Sequence, residues 1–201
     1  MLKLTLDADE HSIKGLLAGL AHLRDGAPKA CAAAINLTLP FIRALSVRLA
    51  RTVYTAKAND LSRQAKIERA KAGGLVGRVS FKDKRGMSLR NFQARPGSGR
   101  PPEGASVKVL RQGSRKRPRL HGQKAFIAAG NNGNTLMFVR LKRGAGGLKA
   151  LYGPRLIQAL NRDEVERGLE REASRQLSAN VARAVESLLT GASARNGGRR
   201  R

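Results

Sequence analysis

Apolar positions along the chain recur first with a helical period and then with an alternating one, and that change divides the sequence. Ile13, Leu16, Leu17, Leu20 and Leu23 share one face of a 3.6-residue repeat, which predicts a helix over about 10–24 stopped by Gly26. A longer helix is expected from Pro28, whose fixed φ suits a first helical turn. It places Ile42, Leu45, Leu49 and Val53 on a dry face and Arg43, Arg48 and Arg51 on the other. Pro40 is expected to kink or divide it, because proline removes a backbone donor and crowds the preceding turn. A third helix is predicted over about 59–72, capped by Asn59 or Asp60, with Leu61, Ala65 and Ile67 inward and Gly73 and Gly74 ending it.

Beyond Gly74 the period becomes two, the mark of strands. Residues 75–82 read as a strand with Val79 and Phe81 on one face and Arg78, Ser80 and Lys82 on the other. Asp83, Lys84, Arg85 and Gly86 make a turn, and 88–95 returns as the partner strand. Residues 95–105 combine Gly, Pro and Ser and read as a mobile loop. Strands resume over 106–112, 124–129 and 135–142, the last burying Leu136, Phe138 and Leu141, with the hairpin turn at 131–134. Asn161 and Glu164 stand at capping-box spacing. From there Val165, Leu169, Ala173, Leu177, Val181, Val185 and Leu188 carry one stripe as far as Thr190 and Gly191. The expected class is α+β: N-terminal helices (1–72), a central antiparallel β-sheet with basic loops (73–149), a long C-terminal helix (150–190) and a basic flexible tail (191–201), in one domain overall.

Charge changes the picture more than any other property. Lys and Arg number 40 against 14 Asp and Glu, a formal net charge of +26. The excess is local: residues 43–149 hold 26 basic and 4 acidic side chains, whereas 1–42 and 150–190 are each balanced. Such asymmetry points to a polyanionic neighbour. The candidate DNA- or partner-facing residues are Lys82, Lys84 and Arg85 in one turn, Arg111, Arg115, Lys116, Arg117 and Arg119 in one loop, and Lys142 and Arg143 at the end of the last strand. They suit phosphate contacts without base readout, because no recognition helix, zinc finger or aromatic ribonucleoprotein motif accompanies them. The loop 111–119 also reads as a solvated loop or one that binds an acidic protein. Arg199, Arg200 and Arg201 read as a solubilising tail.

Other chemistry is sparse. Aromatic content of 3% with no Trp disfavours a platform for stacking single-stranded bases. Cys31 stands alone, so no intrachain disulfide is expected. Asp7 interrupts the amino terminus before any long apolar run, and no uninterrupted apolar run is expected to cross a bilayer, so neither a signal peptide nor a membrane partner is expected. His11, His22 and His121 show no metal or triad spacing, and Asp7, Asp9 and Glu10 read as helix-entry charges. Gly144, Ala145, Gly146 and Gly147 lack the Lys and Ser or Thr of a phosphate loop. Glu164, Glu166, Glu170 and Glu172 alternate with arginines as a solvated helix face does. No enzyme activity, metal or cofactor is expected.

One resemblance covers about 28–190. Gln123 through Ala128, Met137 through Arg140, Leu148 through Leu151, and then Tyr152, Gly153 and Pro154 resemble prophage minor tail protein Z, as does the early run Ala34, Ile35, Asn36, Leu37, Thr38. Leu37, Gln123 and Lys124 depart from its pattern. Tyr152, Gly153 and Pro154 look like that family's turn into the last helix, with Gly153 allowing the bend and Pro154 starting the helix. The resemblance implies a structural protein of the virion that completes the tail at its head-proximal neck and joins it to the head. Its implied partners are the tail terminator, tail tube and head-tail connector, other copies of itself in a ring, and packaged double-stranded DNA. The alternative is a nonspecific nucleic-acid binding protein of nucleoid or ribosomal type.

Overall fold

The computed structural model describes residues 3–6, 26–81, 86–98, 103–130, 132–141 and 147–197. In chain order its elements are β1 (Lys3–Leu6), α1 (Gly26–Val53), α2 (Ala58–Ser62), β2 (Ala65–Glu68), β3 (Gly77–Phe81), a 3-10 turn (Leu89–Asn91), β4 (Arg119–Leu120), β5 (Gln123–Lys124), β6 (Phe126–Ala129), β7 (Thr135–Arg140), β8 (Leu148–Ala150), α3 (Leu156–Leu160) and α4 (Asp163–Gly197). The class is α+β, as expected. The sheet is not one sheet: the strands form antiparallel groups β1-β3-β2, β4-β5 and β6-β7-β8. The chain groups into two compact units, one of Met1–Ser46, Ala65–Phe81 and Glu166–Arg201, the other of Val47–Gln64 and Lys82–Val165. The helix expected over 10–24 lies outside the described residues.

In the first unit, α1 buries Cys31, Ala34, Ile35, Leu39, Ile42 and Leu45 on one face and turns Leu37, Pro40 and Arg43 outward. Pro40 neither ends nor divides the helix. Its place on the exposed face keeps the ring out of the packed side. By length and hydropathy α1 is apolar enough to cross a membrane, although Lys29, Arg43, Arg48 and Arg51 interrupt its apolar run as expected, and 56% of the window concerned is buried inside the protein. Two hydroxyls on the dry face bond back within the helix, Thr38 Oγ1 to Ala34 O at 2.9 Å and Ser46 Oγ to Ile42 O at 2.8 Å.

The helix expected over 59–72 proves shorter. Only Ala58–Ser62 is helical; Lys57 occupies the cap position, and no side chain caps the helix. Ala65–Glu68 is a strand on β3, with Ile67 in register with Val79. Those residues satisfy a period of two as well as one of 3.6, and the backbone of β3 decides between them. Gly77 is required where β3 meets α1: a Cβ there would stand 2.6 Å from Ile35 Cγ2. Asn36 clamps the backbone of Ala70, its amide donating to Ala70 O at 3.0 Å and its carbonyl accepting Ala70 N–H at 2.8 Å. In α4, Leu169, Ala173 and Leu177 are buried as the stripe predicts, and Asn180 joins them. The Asn180 amide donates to Thr38 Oγ1 at 2.9 Å. The helix continues past Gly191 to Gly197, since one glycine in a helix interior costs only about 1 kcal/mol.

The second unit departs further from expectation. The predicted strand over 88–95 is a 3-10 turn after Ser88, with Phe92 fully buried and Gln93 at φ 46°. The predicted strand over 106–112 has only isolated bridges, at Ser106, Val107 and Leu110. Within the loop expected at 95–105, Arg95 and Ser106 exchange backbone hydrogen bonds of 2.8 and 2.9 Å, and Ala105 N–H reaches Ala125 O at 2.6 Å. β7 buries Met137 and Val139 beside Phe138, while Leu136 is only half-buried and Leu141 is 43% exposed. The expected alternation fails because Met137, Phe138 and Val139 are buried in succession, which covers both faces of this central strand. Its hairpin with β6 turns where predicted, with Gly130 N–H on Asn134 O at 2.9 Å. Asn161 does not open the long helix by a capping box; it closes α3, and α4 begins at Asp163.

Candidate functional site

The predicted basic loop belongs to the second unit, and its backbone is held at both ends. Val107 and Lys116 exchange backbone hydrogen bonds of 2.8 Å in each direction, which closes residues 108–115 into an excursion. The excursion is pinned to the chain leaving α1: Thr55 N–H donates to Val109 O at 3.0 Å, and Arg111 N–H to Val53 O at 2.9 Å. Tyr54 bridges Leu110 and stacks edge-on against Phe92, ring centroids 5.9 Å apart.

The five predicted cations of this loop have different fates. Arg111 Nε donates to the Arg51 carbonyl, and Arg115 Nη1 to the Gln93 carbonyl at 2.8 Å. Both keep their full charge, because a carbonyl neutralises nothing, but their guanidinium groups are held in place. Arg117 forms an ion pair with Glu103, one of the few acids in the basic stretch. Lys116 and Arg119 project as exposed side chains, and Arg119 stands in register opposite Lys124, a like-charged cross-strand pair. Lys82, Lys84, Arg85, Lys142 and Arg143 lie outside the described residues, as do His11, His22, Asp7, Asp9 and Glu10. His121 is exposed, at φ 48°, and with Gly122 at φ 73° it forms the turn between β4 and β5. That hairpin was not anticipated; its signal was the His-Gly pair.

Tyr152, Gly153 and Pro154 do lead into helix. Gly153 N–H donates to Met87 O at 2.7 Å, and Ser88 bridges Tyr152, which is 47% exposed. The glycine serves close approach rather than an unusual φ: a Cβ at 153 would lie 2.8 Å from the Phe92 ring, and one at Gly86 1.9 Å from Gly153 O. Pro154 does not start the helix; α3 begins at Leu156, and Gln158 Oε1 accepts Arg155 N–H at 2.9 Å.

Beside the loop lies a groove of about 860 Å³. Leu89, Val107, Val109, Leu110, Pro118 and Pro154 make its apolar wall, Tyr54 contributes its ring, and Lys116, Arg117 and Arg162 supply its cations. No Asp or Glu lines it among the described residues. Burial raises the Tyr54 hydroxyl's pKa, with the nearby Arg162 charge opposing. Sequence patterning missed this groove, since its wall comes from residues with no common period. A smaller concavity of about 370 Å³ gathers Lys57, Asp60, Arg63 and Arg90, whose buried Nε has no partner. No group of metal-ligating side chains is present among the described residues.

The fold and site thus define a small, strongly basic α+β protein with a cation-rimmed apolar groove. The family model of prophage minor tail protein Z (GPZ) matches residues 13–190, most of the chain, and the chain belongs to that family. It is a phage minor tail protein, of a family of structural proteins of the virion tail. No curated protein and no solved structure is detectably similar to it.

Proposed function

We propose that this minor tail protein works at the head-proximal end of the tail, completing the tail and joining it to the head as a ring of identical copies. In this reading its basic face tracks the phosphates of the packaged duplex without reading bases, and its apolar surfaces meet the tail tube, the tail terminator and the connector. The observation that carries the reading is the asymmetry of charge: 26 basic against 4 acidic side chains over residues 43–149, in a family of tail proteins. A positive lumen would attract the duplex it encloses, and the polyelectrolyte attraction is insensitive to sequence. Arg111 and Arg115 support it as cations fixed by neutral carbonyls, which keep their charge for a phosphate while losing less side-chain entropy on binding.

The test is the native mass and negative-stain image of nuclease-treated protein in high salt, followed by duplex titration as salt falls. A discrete ring is expected, with affinity for unrelated duplexes dropping by about three orders of magnitude or more between 50 and 200 mM salt if six or more phosphates are met. A monomer that stays monomeric when mixed with purified tails, or binding insensitive to salt, overturns the reading.

A further inference from the structure

We infer that the groove beside Tyr54 is a docking site for an acidic, apolar segment of another protein of the tail. The inference deepens the tail-assembly reading and rests on it for the partner's identity, not for the chemistry recognised.

Two properties of the groove select that chemistry. Its wall is aliphatic and ends in Leu110, a large apolar side chain left 42% exposed and paired with Tyr54 across an isolated antiparallel bridge. Exposed apolar surface beside a concavity gains free energy only when another apolar group covers it. Its charged members are all cations, Lys116, Arg117 and Arg162. Arg117 already holds the Glu103 carboxylate, so the rim accepts this class of anion. A carboxylate from a partner would find Lys116 and Arg162 without a competing acid among the described residues lining the groove. DNA fits the rim but not the wall, because a phosphate backbone offers no aliphatic group to cover Leu110 and Val109. A second copy is the less suitable occupant of this groove, since a chain with 40 basic and 14 acidic side chains has few acidic stretches to offer a cationic rim, whatever contacts its other surfaces make in a ring. The occupant is therefore a segment in which Leu- or Val-type side chains alternate with Asp or Glu.

The experiment is a fluorescence-anisotropy titration of the full chain with three labelled synthetic peptides: one of Leu, Ala and Glu, its Glu→Gln counterpart, and one of Glu and Ala lacking Leu. The first is expected to bind roughly tenfold more tightly than either control. Leu110→Asp is expected to lose that tenfold, and Arg162→Gln to lose severalfold for the Glu peptide only, closing its gap to the Gln peptide. Thermal unfolding of each variant separates a lost site from a lost fold. Equal binding of all three peptides, or no change in Leu110→Asp with the fold intact, overturns the inference. So does concentration-dependent self-association that Leu110→Asp abolishes, which would make the occupant a second copy. If the peptides fail while the protein is still found in purified tails, this inference alone falls; absence from tails removes the broader reading instead.

Discussion

The two units are built by different means. The first is periodic: α1 and α4 supply aliphatic stripes, and a three-stranded sheet centred on β3 adds Val79 and Phe81. The second is built largely from loops, in which backbone bridges at Ser88, Arg95, Val107 and Leu110 take the place of long strands and Phe92 fills the centre. The first places its specificity in packing and in buried polar contacts such as Asn180 on Thr38. The second places it in chain crossings with no room for a side chain and in arginines donating to carbonyls. Regular elements satisfy their own backbone groups, so their side chains are left to pack; irregular ones must find each carbonyl a partner from elsewhere.

Substitutions can break this contrast. The largest effect is expected in the loop-built unit from Gly86→Ala, whose added carbon would meet Gly153 O at 1.9 Å; backbone must move, at a cost of about 3 kcal/mol or more, seen as a lowered unfolding midpoint. Were Gly86→Ala as stable as wild type, the chain crossing would not be what holds that unit. In the periodic unit Leu39→Ala, at a fully buried site, is expected to cost about 3 kcal/mol by denaturant titration. Thr38→Val should cost about 1–3 kcal/mol, because it strands the buried Asn180 amide, and the double variant with Asn180→Leu should recover part of the loss. If the double variant is worse than the single, the pair matters for more than mutual satisfaction. Arg117→Ala, across an ion pair whose side chains are both more than half exposed, is expected to change stability by less than about 1 kcal/mol.

The smallest effect is one of pH. Burial holds the Cys31 thiol's pKa above its ordinary value, so the folded chain keeps a proton that the unfolded chain releases. Its stabilising contribution is complete below about pH 8.5 and is lost as pH rises through the higher folded value. The unfolding midpoints of wild type and Cys31→Ala should therefore draw together in alkaline solution. Tyr54, shifted in the same direction chiefly by burial, titrates in both and cancels from the difference.

Much of the first unit was legible in the amino-acid order. The dry face of α1 at Ile42 and Leu45, the stripe through Leu169, Ala173 and Leu177, and the strand around Val79 all follow from local period. The short motifs Met137 through Arg140 and Tyr152 through Pro154 pointed to the family that the match over 13–190 establishes. Less of the candidate site could be read. The cluster of cations in 111–119 was visible, but not that Arg111, Arg115 and Arg117 are engaged by Arg51, Gln93 and Glu103, residues distant in sequence.

By itself, then, the sequence determined the fold class, the site of the excess charge and the family, because each is a local or compositional property. Only tertiary structure decided that Ala65–Glu68 is a strand, that Pro40 sits harmlessly on an exposed face, and that Leu110, Arg162 and Tyr54 share one groove. Those outcomes depend on which distant backbone or side chain arrives as a partner, and a period carries no information about that.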